Sequence, residues 1–437
     1  MSNFHSLEPG YSTLEVSRGP HTDDALKEVV PGNAPEILSF PAGGDNNQYS
    51  KGGAVTQTDR ARRRIFCLSY RSFIIVVVIT VVVVVGAIVG GVVGGISSRK
   101  KSTTSSTPTP TSTPARNLLS NSKLAASNYT DAKGYVHRSV FFQDSTEALI
   151  ARLWDSQNNT WKTLNITQQL PGSNVLSGTP LASSSLDLDT QRIHTWCLLA
   201  DQSIHGYFWN GQGGDPSEAA TWAEEVSIGG SSQVAMTGSS LASAWQRPVT
   251  ANSSSIGSWI LAFQKQSGEI AVANYTGSGT IAVNAGAVAS LTSLAMTSEL
   301  TGSILSRLTL TYESNGNILK ASYTGEWDTD ADEHAAIFSD VPAPSSNLEI
   351  ATTAFDHWRQ ILFLALLPNG TIAANWYDDE LRPLSSIGLS GGPNANFSAI
   401  ATTSDAMFYG IFNDSILQYS INTSNPQTFN YAGVVFP

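Results

Sequence analysis

Nine asparagine side chains stand in Asn-X-Ser/Thr triplets, where an oligosaccharide can be transferred to an amide nitrogen in the secretory lumen. They are Asn128, Asn158, Asn165, Asn252, Asn274, Asn369, Asn396, Asn413 and Asn422. No triplet precedes residue 128, although the first 72 residues contain four asparagines. This distribution predicts that the part of the chain from residue 128 onwards is a glycoprotein on the luminal or extracellular side.

Side chains that could support catalysis or hold a metal ion are scattered. His194 and His205 fall in one predicted hairpin and could form a ligand pair, but a solvated or core pair is the simpler interpretation. The run DTDADE at 328–333 offers oxygen ligands for Ca²⁺, yet it lacks the glycine and the distal glutamate of an EF-hand loop. A solvated acidic turn is therefore the preferred interpretation. We predict no metal site, no cofactor and no enzyme activity.

Composition excludes further classes of protein. The 437 residues carry 24 Lys and Arg against 35 Asp and Glu, a net charge of −11, which disfavours nucleic acid as a partner. Two cysteines can build neither a disulfide scaffold nor a four-cysteine zinc site. The 36 glycines and the charged fraction of 14% favour a turn-rich chain. The length exceeds what one hydrophobic core usually supports, so several regions are expected.

Residues 73–96 read FIIVVVITVVVVVGAIVGGVVGGI and contain no charge, which predicts a transmembrane helix long enough for a bilayer core of about 30 Å. Five arginines flank its N-terminal side and three basic residues flank the other side, which places the N-terminus in the cytosol. Together with the triplets, this predicts a type II single-pass membrane protein. Gly86, Gly90 and Gly94 share one helix face and could form a homodimer contact, although glycine is also common in membrane helices.

The segments on either side of this span have low complexity. Residues 1–72 carry eight acidic and eight basic residues without apolar periodicity, which predicts a disordered cytosolic tail. Residues 97–115 read SSRKKSTTSSTPTPTSTPA and predict an extended, O-glycosylated stalk. Cys67 would lie just inside the membrane, as an S-acylation site or a free thiol, whereas Cys197 is expected in a buried strand.

The remaining residues, 116–437, repeat. Short segments with Leu-Ala or Ile-Ala recur near residues 124, 181, 241, 294, 350 and 400, at intervals of 50 to 60 residues. Between them lie pairs of apolar runs joined by Asn, Asp or Gly turns, as in LTLTYESNGNILKASYTG at 308–325, which is typical of hairpins. About four strands per unit predict an all-β, six-bladed propeller. We expect the strand at Leu124 to pair into the last blade and close the ring.

Several phrases of this repeat resemble the fungal fucose-binding lectins, which are six-bladed propellers. They are SKLAAS at 122–127, SVFFQD at 139–144 and the closing NYAGVVFP at 430–437. The resemblance implies sugar sites between adjacent blades, where an Arg and a Glu bind the hydroxyl groups and an aromatic ring stacks on the apolar face of the sugar.

The polar half of that site is missing from this sequence. The positions that match the family's Arg hold Ser139, Thr195, Ile260, Leu308, Leu362 and Met407. The positions that match its Glu hold Ala151, Gly206, Val272, Lys320, Ala374 and Gln418. The aromatic position survives as Trp161, Trp222, Trp327 and Phe429, which are either sugar-stacking rings or structural caps on the blades.

The sequence therefore predicts a lectin-like propeller that is anchored in a membrane and binds glycans or glycoproteins without catalysis. One alternative is a protein-interaction propeller that has lost sugar binding. A glycan-processing enzyme is a further alternative, but it would need paired carboxylates that the sequence does not display.

Overall fold

The computed structural model of the chain describes residues 117–169, 174–186, 191–211, 215–218, 221–225, 228, 230–247, 257–301, 304–330, 334–339 and 348–437. These residues belong to one compact unit, Pro108–Pro437. The predicted tail (1–72), transmembrane span (73–96) with its three glycines, and stalk (97–115) lie outside the described residues. Among the ranges described, no helix combines the length and hydrophobicity that crossing a bilayer requires.

Within the described residues, 25 strands form six sheets, and each sheet contains an antiparallel four-stranded meander that is one blade. The predicted all-β, six-bladed propeller is confirmed. Blade one contains β1 (Ala125–Thr130), β2 (Val136–Gln143), β3 (Leu149–Asp155) and β4 (Thr160–Asn165). Blade two contains β5 (Ala182–Leu186), β6 (Arg192–Leu198), β7 (Ile204–Asn210) and β8 (Trp222–Glu225). Blade three contains β9 (Leu241–Gln246), β10 (Ser258–Gln264), β11 (Ile270–Ala273) and β12 (Ser278–Val283).

Blade four contains β13 (Leu294–Thr301), β14 (Ile304–Ser314), β15 (Asn317–Tyr323) and β16 (Ala335–Phe338). Blade five contains β17 (Glu349–Phe355), β18 (Gln360–Leu366), β19 (Ile372–Asp378) and β20 (Glu380–Leu384). Blade six contains β22 (Ile400–Thr403), β23 (Met407–Phe412), β24 (Ser415–Ile421) and β25 (Thr428–Phe436), and β21 (Gly388–Ser390) pairs in parallel with β25. The described helical segments are a single turn, α1 (Ile166–Gln169), and a 3₁₀ turn at Ala285–Ala287.

The tight hairpins follow from the turn residues. Asn315 and Gly316 join β14 to β15 with φ values of 47° and 79°, and Asn413 and Asp414 join β23 to β24 with φ values of 48° and 64°. Two successive residues with positive φ are characteristic of the type I′ turn, which matches the twist of the paired strands and suits Asn, Asp and Gly.

The second strand of a blade is buried on both faces, because a neighbouring blade packs against each side of the sheet. In β6, β10 and β18 the last six residues are all buried. Cys197 in β6 is fully buried, as predicted. Six apolar clusters, one at each boundary between blades, hold the ring together.

The expected closure of the ring is wrong. The strand that follows Leu124 is β1, and it pairs with β2 of its own blade. Blade six has its own inner strand, β22, so the Leu-Ala or Ile-Ala segment opens each blade instead of ending it. The inner strands contact one another in sequence around the ring, and β22 returns to contact β1.

Side chains close the junction of blades six and one, which we call the seam. Arg138 Nε donates to Asp405 Oδ2 at 2.5 Å, and Ser404 Oγ donates to Asn128 Oδ1 at 2.9 Å. The rings of Phe142 and Phe436 lie 4.7 Å apart, centroid to centroid. No strand of the described residues is shared between the two blades, so only noncovalent side-chain contacts hold the seam.

The propeller has two distinct faces. Asn117 and Leu118 contact the β2–β3 turn, where Ser145 N donates to Asn117 O at 2.8 Å and Leu118 forms a bridge with Asp144. We call this the entry face, because Asn117, the first residue that the structure describes, lies on it. The β1–β2 and β3–β4 turns lie at the opposite ends of the strands, on what we call the cleft face.

Candidate functional site

Two clefts open on the cleft face, each between a pair of adjacent blades. The first cleft, between blades one and two, has a volume of about 310 Å³ and is lined by Tyr129, His137, Lys162, Trp209 and Asp215, among others. The second cleft, between blades three and four, has a volume of about 350 Å³. Its lining includes Ile260, Val272, Asn274, Leu308, Tyr323 and Trp327. Cavities of this size, with apolar walls and a few polar groups, are typical of small-ligand sites.

Aromatic rings form the floor of the first cleft. Tyr129 stacks on His137 at a centroid distance of 4.6 Å and on Trp209 of blade two at 5.8 Å. Tyr129 and Trp209 are each 2% exposed, so the rings are fixed by packing. The His137 ring, which stacks on Tyr129 and whose side chain is 20% exposed, is the part of this floor that an apolar C–H surface of a ligand can reach.

Charged side chains stand above these rings. Lys162 Nζ donates to Asp215 Oδ2 at 2.8 Å and to Ser217 Oγ at 3.1 Å, which links β4 of blade one to the loop before β8. Asp131 Oδ1 accepts from the backbone N–H groups of Lys133 and Tyr135, both at 2.9 Å. Carboxylates accept hydrogen bonds from hydroxyl groups and an ammonium group donates to them, so this rim can bind a polyhydroxylated ligand.

The carboxylates at the rim of the first cleft affect the pKa of Tyr129 in its floor. Burial raises the pKa of Tyr129, and the negative charges of Asp131, Asp155 and Asp215 raise it further. Burial opposes ionisation of Asp215, but hydrogen bonds from Lys162 and Ser217, together with the Lys162 charge, hold the pKa of this carboxyl below its ordinary value. The hydrogen bond to Asp215 correspondingly raises the pKa of Lys162. The Lys162–Asp215 pair therefore stays ionised.

The second cleft differs from the first in the side chains that line it. Ile260, Val272 and Leu308 line it as aliphatic side chains, and the rings of Tyr323 and Trp327 lie 5.4 Å apart. Glu326 provides its carboxylate, and the amide of Asn274 lies on the wall that blade three contributes.

Both clefts lie between adjacent blades, where the resemblance to the fucose-binding lectins implies sugar sites. The residues that line them differ from the Arg and Glu of that family. Ser139, at one matching Arg position, lines the first cleft. Ile260 and Leu308, at two others, line the second cleft, and so does Val272 at a matching Glu position. Arg138 also lines the first cleft, where its guanidinium carbon lies 4.2 Å from the centre of the Trp154 ring, and its Nε donates to Asp405 Oδ2 of blade six.

The four predicted aromatic residues face the preceding blade around the ring, and they differ in their access to ligand. Trp161 is partly buried at the seam, 6.5 Å from Tyr409. Trp222 is 5% exposed, and its Nε1 donates to Pro216 O at 2.8 Å, which supports the wall of the first cleft from behind. Trp327 lines the second cleft with 9% of its surface exposed. Phe429 is fully buried, so its ring presents no surface to a ligand in this structure.

The predicted glycosylation acceptors occupy turns and strand ends. Five are exposed, namely Asn158, Asn369, Asn396, Asn413 and Asn422. Asn128, Asn165 and Asn274 are partly buried, and Asn252 lies outside the described residues. Asn274 differs from the other described acceptors because it also lines the second cleft.

His194 and His205, considered above as a ligand pair, do not lie opposite each other in the β6–β7 hairpin. His194 is opposite Phe208, and His205 is opposite Cys197. Burial and the nearby Arg192 lower the pKa of His194 to about 3. Among the residues that the structure describes, no three His, Cys, Asp or Glu side chains are grouped so that they could hold a metal ion.

Comparison with known proteins yields matches only among solved structures. No protein-family model matches the chain, and no curated protein matches its sequence. The fungal lectin from Aleuria aurantia, described as having a six-bladed β-propeller fold and a novel fucose recognition mode, superposes with a TM-score of 0.54 at 16% identity, covering 73% of this chain and 97% of the lectin. SapL1 lectin in complex with α-methyl fucoside gives a TM-score of 0.53 at 15% identity, and the match covers 74% of this chain and 98% of SapL1. AofleA from Arthrobotrys oligospora gives a TM-score of 0.52 at 12% identity, and the match covers 73% of this chain and 88% of AofleA.

The fold is that of the fungal fucose-specific lectins. At these identities the similarity establishes the architecture of the lectin-type propeller, and the ligand must be argued from the clefts themselves. Lys162 and Asp215 were not among the residues predicted from the sequence, although strand alternation offered a signal for the first. Lys162 follows the predicted Trp161 in β4, so it points to the opposite face of the blade, towards blade two.

Proposed function

We propose that the chain is a lectin whose first cleft binds neutral glycans without catalysis. The observation that carries this proposal is the combination of a packed aromatic floor, Tyr129 and Trp209, with a hydrogen-bonding rim, Lys162 and Asp215. Sugar rings present apolar C–H faces and hydroxyl edges, and the cleft offers a partner for each.

The charge of the rim favours neutral over anionic sugars. Asp131, Asp155 and Asp215 line the first cleft. The lysine and the arginine of the same lining are already paired, Lys162 with Asp215 and Arg138 with Asp405. A sialylated or sulfated glycan would bring negative charge towards these carboxylates, and like charges in partly desolvated surroundings repel. Fucosylated neutral glycans are the first candidates, because the similar lectins are described as fucose-specific or were solved with a fucoside.

A glycan array with the full-length protein tests this function. We expect binding to neutral glycans that free sugar inhibits, and no binding to their sialylated counterparts. Lys162→Met should weaken the signal strongly, while Glu326→Gln, which changes the second cleft only, serves as the matched control. An array without any signal from the wild type overturns the lectin proposal and favours the protein-interaction alternative. A signal from Lys162→Met that equals the wild-type signal overturns the assignment to the first cleft.

We also propose that residues 73–96 anchor this propeller to a membrane as a type II protein, with the propeller in the secretory lumen or outside the cell. The proposal rests on the uncharged run of 24 residues, the flanking arginines and the nine triplets. Glycosidase treatment should increase gel mobility, and an unchanged mobility would refute this orientation.

A further inference from the structure

Of the eight predicted glycosylation acceptors that the structure describes, Asn274 alone lines either of the two clefts. It lies in the turn between β11 and β12, in the triplet Asn274-Tyr275-Thr276, on the wall that blade three contributes to the second cleft. Trp327 belongs to the opposite wall, which blade four contributes. A substituent on the Asn274 amide would therefore begin inside the rim of the cleft.

The side chain of Asn274 leaves its attachment atom available. Asn274 Oδ1 accepts from Thr276 N at 2.9 Å, Thr276 Oγ1 at 2.8 Å and Gly277 N at 2.9 Å. These three bonds fix the carbonyl side of the amide towards the turn. Asn274 Nδ2 makes no hydrogen bond within the described residues, whereas Asn158 Nδ2 donates to Asp155 Oδ2 at 3.3 Å.

There is open space where the substituent would lie. A Cβ placed on Gly277 or on Gly325, which both line the second cleft, would meet no atom within 4 Å. Tyr275, next to the acceptor, is 64% exposed, one of the few large apolar side chains that reach solvent. The mouth of the second cleft is thus wide, and aromatic rings stand both beside it and within it.

We propose that the second cleft binds the chain's own N-linked glycan, attached at Asn274, so that this cleft is occupied from within while the first remains open. The inference rests on the luminal orientation in the proposed function. Asn274 Nδ2 forms a bond to the anomeric carbon of a lipid-linked diphosphate oligosaccharide. The bond from that carbon to the diphosphate oxygen breaks, the diphosphate leaves with the electron pair, and the amide loses one proton.

Because the glycan is attached to Asn274, weak contacts are sufficient for it to occupy the second cleft. A sugar attached at the rim has an effective concentration in the mM range, so a dissociation constant of that order already fills much of the cleft. The ring of Trp327 gives a flat surface for the C–H face of the first residue, N-acetylglucosamine, and Glu326 gives an acceptor for its hydroxyl groups.

Site-resolved digestion of the native, full-length glycoprotein with an endoglycosidase tests the inference. Peptide mass spectrometry then reports the rate of glycan removal at each acceptor. We expect the Asn274 glycan to be removed more slowly than the Asn158 and Asn422 glycans, by a factor on the order of ten if the tethered sugar is mostly bound. Denaturation should abolish the difference. Asn158 and Asn422 are matched controls because both lie in exposed turns of the cleft face.

Trp327→Ala should accelerate removal at Asn274 alone, and Glu326→Gln, a smaller change, should accelerate it partially. In Asn274→Gln the vacated cleft should be available to added N-acetylglucosamine, which is expected to quench Trp327 fluorescence there but not in the wild type.

The outcomes separate this inference from the proposal beneath it. A protein without glycan at any triplet overturns the luminal orientation and this inference together. Glycans at Asn158 and Asn422 with an unmodified Asn274 overturn this inference alone. Equal removal rates at all three sites in the native protein also overturn it.

Discussion

The two clefts occupy equivalent positions in the ring but differ in their chemistry. The first joins a buried aromatic floor to the Lys162–Asp215 ion pair, while the second is lined by Ile260, Val272 and Leu308 beside Trp327. The difference arises from residues on the surface of the blades, since the strands that frame both clefts follow the same order. The comparison shows that one repeated scaffold can present a site built around an ion pair and a site built around aliphatic side chains at once.

The same position in the repeat also has two roles. Trp222 and Trp327 follow the third strand of blades two and four, respectively, and both face the preceding blade. Trp222 holds the Asp215–Ser217 loop through Pro216, and so shapes the first cleft without lining it. Trp327 is itself part of the wall of the second cleft.

The largest effect is expected from truncating these two rings. Trp222→Ala and Trp327→Ala should each lower the free energy of unfolding by about 3–5 kcal/mol, because each removes a large side chain packed in an apolar cluster. Urea denaturation measures the loss of stability. Trp161→Ala, at a partly exposed position, should lower the free energy of unfolding by a smaller amount.

The two variants should differ in ligand binding. Trp222→Ala should also weaken glycan binding in the first cleft, because the supporting contact to Pro216 is lost. Trp327→Ala should leave that binding unchanged. A Trp327→Ala protein that folds and has lost binding in the first cleft would contradict the independence of the two clefts.

An intermediate effect is expected from the rim of the first cleft. Lys162→Met should raise the dissociation constant of a neutral glycan by about ten- to a hundredfold, because a charge-assisted hydrogen bond contributes about 1.5–3 kcal/mol. Isothermal titration calorimetry measures the change. The matched variant Lys265→Met removes a surface lysine paired with Glu269 at 3.4 Å, away from both clefts, and should bind as the wild type does.

The smallest effect is a dependence of stability on pH that is specific to the first cleft. The pKa of Asp215 is lower in the folded protein than the unfolded value of about 3.9. Its ionised form therefore stabilises the fold above that value, and the contribution disappears as pH falls through the folded pKa. Because the side chain is 46% exposed, solvent screening keeps the contribution small.

Comparison of the wild type with Asp215→Asn measures this contribution. The difference in urea midpoint should be constant above about pH 5 and should vanish at pH values below the folded pKa. Lys162→Met removes the partner that lowers the pKa, so Asp215→Asn in that background should change the profile little. A difference that grows as pH falls would contradict the assigned direction.

The fold was predictable from sequence because the same signals recur six times. The Leu-Ala and Ile-Ala segments became the inner strands, and turns such as Asn315-Gly316 became hairpins. The phase of the repeat was not predictable, because each such segment stands between two hairpins and sequence spacing does not indicate with which of them it pairs. The Leu124 strand was therefore assigned to the wrong blade.

Sequence predicted the residues of the clefts only at positions that recur in every repeat unit. The matching positions at Ser139, Ile260 and Leu308 do line the clefts. The Lys162–Asp215 pair joins two blades across 53 residues, and Asp215 belongs to the loop between β7 and β8, outside the repeated segments, so no spacing signal indicates the pair. Likewise, only the packing around Phe429 reveals that its ring is fully buried.

The side-chain seam has a mechanical consequence. Tension on the chain ahead of Asn117 enters blade one next to the junction with blade six, where Arg138–Asp405 and Phe142–Phe436 are the principal links. A shared strand would resist such a load along its whole row of backbone hydrogen bonds, whereas individual side-chain contacts can rupture one at a time. Neighbouring blades elsewhere in the ring are also joined by the chain itself, so the seam is the junction at which the ring can open without breaking a covalent bond.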